Sequence, residues 1–397
     1  MNLDQQAALG GAGTGALGSI QVTPKAFNTN YNWAPRFGFA WSPGTSGKWS
    51  VRGGYGWAYD FIFLNPITNL RFAPPFMYNF TTTDFTGANS LANMVAGTSA
   101  FQQTGRATVG NFGTTVRNFG LISPVDFAMQ NPQTQQWSLN IERQIGNGFV
   151  GRIGYVGTKS NFLQRARPIN TVRPGLVVPA TSMADENARI ADFRAINAGL
   201  NAPPTAQTNR IDPRFTGITL NESSANSNYH SFQAYLARTF RSGFGFTAAY
   251  TWSKSIDDVS DVLGVLATDT NAQQNPFDNR DNRAVSAFDV PHRFVFTHSY
   301  DLPKFTNTNR FVRTVIGGWN LSGLFQMQSG LPQNLFGGPR LALPDPLLLG
   351  GGGSVRPNLD GPLNLTFEPN PGTVTAAMAK TNNSGLSQPL IGNFGTL

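Results

Sequence analysis

The chain has 397 residues, of which 40% are hydrophobic and 13% are charged, against roughly 25% charged residues in typical soluble domains. Its formal net charge is +8, but the basic residues are spread along the chain without a groove-reading motif, so we expect no nucleic-acid binding. No run of about 18 apolar residues occurs, which predicts that no transmembrane helix is present. The absence of cysteine excludes disulfide bonds.

Eight segments alternate apolar with small or polar side chains at a period of two, which is the pattern of a strand with two different faces. In chain order they are 34–41, 49–59, 135–144, 149–158, 229–240, 244–254, 291–301 and 319–328. Seven of the eight have 10 to 12 residues, close to the roughly 9 to 11 that a tilted membrane strand needs. The sequence therefore predicts strands that are long enough to cross a membrane.

The segment 244–254 shows the alternation most clearly. Its even positions are mostly aromatic, namely Phe244, Phe246, Tyr250 and Trp252, while every odd position is Gly, Ala, Thr or Ser. An apolar face rimmed by Tyr and Trp suits lipid, and a small polar face suits a water-filled lumen. We expect the same division in the other strands.

The connections alternate between short and long. The short ones are 42–48, 145–148, 241–243 and 302–318, and the long ones are 61–134, 159–228, 255–290 and the residues from 329 onward. Outer-membrane barrels have short periplasmic turns and long extracellular loops, whereas compact soluble domains rarely contain structureless loops above about 15 residues. The pattern predicts an all-β fold, an antiparallel transmembrane β-barrel fragment of about eight strands.

The alternation predicts which face of the sheet two sets of residues occupy. The basic residues of the polar parity are Arg36, Arg52, Arg152 and Arg293. We predict that they face the lumen and pair with carboxylates there. An anion-selective lining is the alternative. Large aromatic residues of the apolar parity are predicted to face lipid or to form an interfacial girdle: Trp41, Tyr59, Trp137, Phe246, Tyr250, Trp252 and Trp319.

The run 275–283 contains carboxylates that resemble a calcium loop, but the Asp-x-Asp-x-Asp-Gly order and the distal Glu are missing. We predict instead that Asp278, Asp281 and Asp289 pair with Arg280, Arg283 and Arg293 to fix the loop that enters the strand at residue 291. Three histidines without cysteine or zinc-site spacing predict no metal and no cofactor. No nucleophile elbow or phosphate-binding loop occurs, so we expect no enzyme activity.

A set of segments resembles the barrel of the Oar-like TonB-dependent transporters. These are APRFGFAW at 34–41, VRGGYG at 51–56, QWSLNIERQ at 136–144, GYVGTK at 154–159, YTWSKSIDD at 250–258, FDVPHRF at 288–294, GWNLSG at 318–323, QSGLP at 328–332 and GNFG at 392–395. They occur in order over most of the chain. The resemblance implies an outer-membrane receptor with a barrel of about 22 strands and a plugged lumen.

As partners, the resemblance implies outer-membrane lipid, an unknown bulky extracellular ligand, and the TonB complex, which is contacted through a plug domain absent from this chain. The chain also lacks a secretory signal and the terminal aromatic strand typical of such barrels. We therefore expect a flexible lead-in at 1–31 and, at 32–397, a partial barrel without plug or closing strands, in the outer membrane of a Gram-negative-type bacterium. The alternative is a soluble or surface-attached β-sandwich adhesin or glycan-binding protein.

Overall fold

The computed structural model describes residues 31–65, 86–100, 102–103, 121–122, 124–126, 128–146, 148–172, 176, 178–201, 209–210, 217–261, 275–303, 309–315, 317–332, 358–361 and 386–387. The predicted lead-in, apart from residue 31, and the segment 392–395 lie outside these residues. The division of the chain at residue 31 therefore stays a prediction.

Antiparallel strands dominate the described residues. In chain order they are β1 Arg36–Trp41, β2 Trp49–Tyr59, β3 Leu121–Ile122, β4 Gln133–Gln144, β5 Phe149–Pro168, β6 Gly217–Arg241, β7 Phe244–Asp257, β8 Ala284–Val285, β9 His292–Asp301, β10 Asn320–Gln328, β11 Asn358–Leu359 and β12 Leu386–Ser387. Within the described residues, α-helices lie between strands at α1 Leu91–Val95, α2 Met183–Asn201 and α3 Arg310–Val315. Two 3₁₀ turns occur at Gly87–Asn89 and Asn279–Asn282.

One sheet contains the first ten strands. Its path is β1-β2-β4-β5-β6-β7-β9-β10, in which every neighbouring pair is antiparallel. Strand β3 pairs with β6 in parallel, and β8 pairs with the end of β7. The only other sheet in the described part of the chain is the two-residue pair β11–β12, so no second sheet of comparable size packs against the first. A β-sandwich would require one.

The eight predicted strands and their antiparallel order are confirmed, with one correction at the long connection 159–228. There β5 continues to Pro168 and β6 begins at Gly217, so much of the expected loop is strand. A register shift between Ser160 and Leu163, where Phe162 has a positive φ of 58°, separates the two parts of β5. The outer parts of β5 and β6 are polar, so they carry no lipid-type alternation that the sequence could have shown.

Short turns connect neighbouring strands at one end of the sheet. Between β6 and β7 only Ser242 and Gly243 remain, with φ values of 52° and 77°. Two successive residues with positive φ give the tight hairpin turn whose twist matches that of the flanking strands. The fourth connection on this side, between β9 and β10, is longer and contains α3.

We call the membrane-length part of the sheet the strand wall. It comprises β1, β2, β4, β9 and β10, with residues 149–158 of β5, 229–241 of β6 and 244–254 of β7. The register places directly paired residues on the same face, and one row across six strands reads Phe39, Gly53, Leu139, Tyr155, Phe232 and Trp252. Rows of this parity form the apolar face, and rows of the other parity form the polar face.

We call the described residues of 121–132, 159–228 and 255–290 the loop-side cap. All the fully buried hydrophobic side chains of the described chain belong to it, and they include Phe193 of α2, Val125, Met129 and Ile218 of β6. The strand wall therefore has no hydrophobic core of its own. No helix among the described residues is long and apolar enough to cross a membrane.

Candidate functional site

The polar face of the strand wall carries the four arginines that the sequence analysis singled out. Arg36 lies opposite Gly56, Arg52 opposite Asn140, Arg152 opposite Glu142, and Arg293 opposite Thr251. The cross-strand register connects all four to one face. They are thus brought onto a common surface from β1, β2, β5 and β9.

A recess of about 780 Å³ opens on this face. Its polar lining comes from five neighbouring strands, β1, β2, β4, β5 and β6, and includes Arg36, Ser50, Arg52, Gln136, Ser138, Asn140, Glu142, Arg152 and Gln233. Three guanidinium groups and one carboxylate give this lining an excess of positive charge. Hydroxyl and amide groups supply further donors, so the recess is suited to a solute that carries negative charge.

The arginines of the polar face are not neutralised by carboxylates. Arg52 donates from Nε to Ser50 Oγ at 2.9 Å, and the Arg152 guanidinium lies 4.8 Å from the ring centroid of Tyr235. Among the described residues none of the four arginines takes part in an ion pair. The expected pairing with carboxylates is not found among the described residues: Glu142 is directly opposite Arg152, yet the Arg152 guanidinium lies over the Tyr235 ring of the neighbouring strand.

The opposite face collects the predicted girdle residues. Trp41, Tyr59, Trp137, Phe246, Tyr250 and Trp252 share the apolar parity, and Trp319, just before β10, donates from Nε1 to the carbonyl of Val315 at 2.7 Å. The exposed fraction is 62% for Trp41 and 59% for Trp252. Large aromatic side chains are thus presented to the surroundings, although whether lipid is what they contact stays a proposal.

Two glycines of the apolar face are covered by aromatic rings. The ring of Phe39 lies over Gly53, and the indole of Trp137 lies over Gly157, in the space that a Cβ atom would occupy. An alanine at either position would displace the ring. This explains why the apolar parity is interrupted by glycine without leaving a gap in the surface.

All three histidines of the chain lie on the apolar face, where tyrosine hydroxyls satisfy two of them. Tyr155 Oη is 2.7 Å from Nδ1 of His230, and Tyr250 Oη is 2.8 Å from Nδ1 of His292, with nearly parallel rings in both pairs. No group of histidine and carboxylate side chains in the described chain has the arrangement of a metal site. The histidines therefore serve the packing of this face.

The predicted ion pairs of the loop 275–290 have other partners. Asp289 accepts hydrogen bonds from Lys254 Nζ at 3.1 Å and from the Ser255 backbone N–H at 2.7 Å, while Arg283 lies 3.6 Å from Asp258. Asp278 caps the 3₁₀ turn by accepting from the Arg280 backbone N–H at 2.8 Å, and Asp281 accepts from the side-chain amide of Asn275. The loop folds back against β7. Asp289 therefore contacts Lys254 of β7, and Arg283 contacts Asp258, which follows β7.

A buried ionic cluster in the loop-side cap was missed by the sequence analysis. Glu222 of β6 receives hydrogen bonds from Arg167 at 2.9 and 2.8 Å and from Ser224 Oγ at 2.6 Å, and Arg165 Nε is 3.6 Å away. Arg165 is fully buried. Burial acts to raise the pKa of Glu222, but these hydrogen bonds and the two arginine charges outweigh it and lower the pKa below its ordinary value.

The sequence as a whole matches one protein family. The model of the outer membrane β-barrel domain family matches residues 2–397, and the chain belongs to that family. The antiparallel strands of membrane length and the exposed apolar face are the structural counterpart of this match. The protein accordingly resides in the outer membrane of Gram-negative bacteria.

Solved outer-membrane transporters are partly similar in structure. The outer membrane transporter YddB from Escherichia coli gives a TM-score of 0.35 at 12% identity, covering 68% of this chain and 27% of that one. The FrpB iron transporter from Neisseria meningitidis (F3-3 variant) gives 0.30 at 12% identity, with coverages of 70% and 25%. The siderophore receptor PirA from Pseudomonas aeruginosa gives 0.27 at 9% identity, with coverages of 70% and 31%.

The chain thus spans about a quarter to a third of the length of these three structures. No curated protein matches the sequence significantly. Membership of the family rests on the match along the sequence and not on these partial superpositions.

Proposed function

We propose that the strand wall is part of the barrel of a TonB-dependent transporter, which takes up a bulky ligand across the outer membrane. In this proposal the apolar face contacts lipid and the polar face lines the lumen. The ligand would be captured on the long-connection side and released to the periplasm on the short-turn side, driven through a plug domain that contacts TonB. The role is transport and not catalysis.

The observation that carries the proposal is the division of one continuous sheet into two chemically different faces. Over eight strands, paired in order, most large aromatic and aliphatic residues lie on one face, and Gly, Ser, Thr, Asn, Gln and Arg predominate on the other. A sheet in lipid must keep every backbone group paired and expose apolar side chains on one side only. A large importer barrel provides a lumen that needs the polar side.

The charge of the polar face supports a negatively charged ligand. Arg36, Arg52 and Arg152 border one recess, and Arg293 lies in the same row as Arg52 five strands further along the sheet. Because none of these groups is paired with a carboxylate of the described residues, each has N–H donors from which carboxylate or phosphate oxygens can accept. We propose that they guide an anionic ligand along the lumen.

The proposal is tested by solute depletion. Cells that produce the full-length protein and cells that lack it are grown in a complex medium, and the remaining solutes are compared by mass spectrometry with and without a protonophore. We expect one or more bulky anionic solutes to be depleted only by producing cells, and depletion to stop when the proton gradient is abolished. Depletion that continues without the gradient would indicate a passive pore, and equal depletion by both strains would refute import.

A further inference from the structure

The apolar face contains a trough near the short turns that is distinct from its otherwise aromatic surface. It has a volume of about 360 Å³ and crosses β4, β5, β6 and β7. Small residues form its floor, namely Gly151, Ala234 and Ala248, and larger ones form its walls, including Ile141, Ile153, Leu236, Tyr250 and Phe294. A trough with an apolar floor and apolar walls is suited to a hydrocarbon chain.

Two arginines stand at the short-turn end of this trough. Arg143 of β4 borders it, with its guanidinium 4.7 Å from the centroid of the Trp49 ring. Arg238 of β6 lies between two rings, 5.6 Å from the centroid of Phe149 and 5.5 Å from that of Phe244. Their Cα atoms are separated by two strand spacings of about 4.8 Å and two residues along the strand, or roughly 12 Å.

Neither arginine is neutralised by the protein. Among the described residues, neither forms an ion pair, and Arg238 Nε is buried without a hydrogen-bond partner. No Asp or Glu of the strand wall shares the apolar parity. Arg241, opposite Phe244 at the end of β6, adds a third positive charge to the same face.

Cations on a lipid-facing surface are costly near the bilayer centre but are tolerated near its interfaces, where long side chains reach the headgroups. Stacking on an aromatic ring satisfies the face of a guanidinium while its N–H edge remains available for a phosphate. The arginines mark the level of the headgroups at the short-turn end, and the trough extends from them toward the middle of the strands. The two features have the layout of a single phospholipid molecule.

We propose that the apolar face binds an anionic phospholipid of the periplasmic leaflet, with its phosphate on Arg143 and Arg238 and an acyl chain in the trough. The inference rests on the proposed facing of the sheet, and it adds a defined lipid site to a surface otherwise in contact with bulk lipid. An anionic headgroup is favoured because Arg143, Arg238 and Arg241 are positively charged and no Asp or Glu of the strand wall lies on the same face.

The test is lipid binding by the detergent-purified, delipidated full-length protein, measured by native mass spectrometry with phosphatidylglycerol, phosphatidylcholine or inorganic phosphate. We expect phosphatidylglycerol to bind at least about tenfold more tightly than phosphatidylcholine, and inorganic phosphate to remain unbound at the same concentration. Arg143→Ala and Arg238→Ala should each weaken phosphatidylglycerol binding by about tenfold, since each removes charge-assisted hydrogen bonds. Lys48→Ala, which removes an exposed charge of the short turn on the same side, should leave it unchanged.

Ala234→Phe separates the acyl contribution from the headgroup contribution. The change keeps the face apolar but fills the floor of the trough, so binding should weaken while both arginines remain. Equal binding of the two lipids, or unchanged binding in the double variant Arg143→Ala/Arg238→Ala, would overturn the site. Phosphate binding as tight as lipid binding would overturn the acyl contact. None of these results would affect the transport proposal, which the depletion experiment tests separately.

Discussion

In the strand wall the large hydrophobic side chains are at the surface, whereas in the loop-side cap they are inside. Phe39 and Trp252 of the wall are 56% and 59% exposed, while Phe193 and Val125 of the cap are 2% and 1% exposed. The cap also buries charge, with Arg165 and Asp289 at 0% and 1% exposure. The two regions share β5 and β6, so one continuous pair of strands passes from one arrangement to the other.

This difference is what the proposed facing predicts, with lipid around the wall and water around the cap. A region surrounded by water buries apolar side chains and must pair its buried charges, and the cap does both. A region surrounded by lipid gains nothing from hiding apolar side chains and requires only that backbone groups are paired, as in the wall. In this proposal the bulge at residues 160–163 of β5 lies at the boundary between the two surroundings, because the apolar alternation of the strand ends there.

The largest effect is expected from breaking the ionic cluster of the cap. Glu222→Ala leaves Arg165 buried without its acidic partner, which should cost about 3 to 5 kcal/mol of local stability. Hydrogen exchange should accelerate in 163–168 and 217–226, while the heat-dependent gel shift of the folded barrel is kept. Arg189→Ala is the control, because the Asp185–Arg189 pair of α2 is only partly buried and its loss should cost at most about 0.5 kcal/mol. Equal exchange in both variants would show that burial of Glu222 does not matter.

The next largest effect concerns the two faces of β7. Ala248 lies on the apolar face opposite Leu236 and Phe296, and Thr247 lies on the polar face opposite Ala237 and Thr297. Ala248→Arg should cost roughly 2 to 4 kcal/mol in a bilayer and impair folding into lipid vesicles, measured by the gel shift. Thr247→Arg, one residue away, should fold normally. Equal impairment by both changes would favour a soluble β-protein over a barrel.

A moderate effect is expected from acid, and only in the cap. Because the folded-state pKa of Glu222 is below its ordinary value of 4.5, its interactions stabilise the cap above that pH and are lost as pH falls through the lowered pKa. Asp257, whose pKa is raised by burial, acts in the opposite direction and is protonated first. Protection of the amides in 217–226, expressed relative to the intrinsic exchange rate at each pH, should therefore fall below about pH 4.5, and Glu222→Gln should reduce this pH dependence. An acid response confined to the strand wall would contradict the assignment.

The smallest effect on stability is expected from the arginines of the polar face. Single changes Arg52→Ala, Arg152→Ala and Arg293→Ala remove no ion pair and leave no buried acid, so assembly of the barrel should be unchanged in the gel-shift assay. Uptake should instead weaken, because lumen substitutions tune selectivity. Loss of assembled protein in all three variants would mean that these side chains are structural.

The wall could be predicted from the sequence because lipid imposes a rule on every second residue. In 244–254 this rule is visible without any partner strand, and the short turns then restrict the register of the hairpins β1–β2, β4–β5 and β6–β7. The four arginines were placed on one face for the same reason. Their lack of acidic partners could not be read from the alternation, since it depends on which neighbour each side chain reaches.

The cap could not be predicted in the same way, because its contacts join distant segments. Residues 217–228 contain few apolar side chains, among them Ile218, Leu220 and Ala225, and no period marks them as strand. Asp289 contacts Lys254 and Arg283 contacts Asp258 only because the loop folds back on β7. The sequence analysis predicted ion pairs between residues that are close in the sequence of the loop. In the folded protein Asp289 and Arg283 contact residues outside the loop instead.

The facing of β7 can be measured most directly by cysteine accessibility, since residues 1–397 contain no cysteine. Single cysteines are introduced at positions 246 to 252 of the full-length protein, and labelling by a small water-soluble maleimide is followed in intact outer membranes. Strong labelling is expected at odd positions, such as Thr247→Cys and Ala249→Cys, with weak labelling at Ala248→Cys and Tyr250→Cys. Labelling without alternation, or strongest at the even positions, would contradict the division of this sheet into a lipid face and a lumen face.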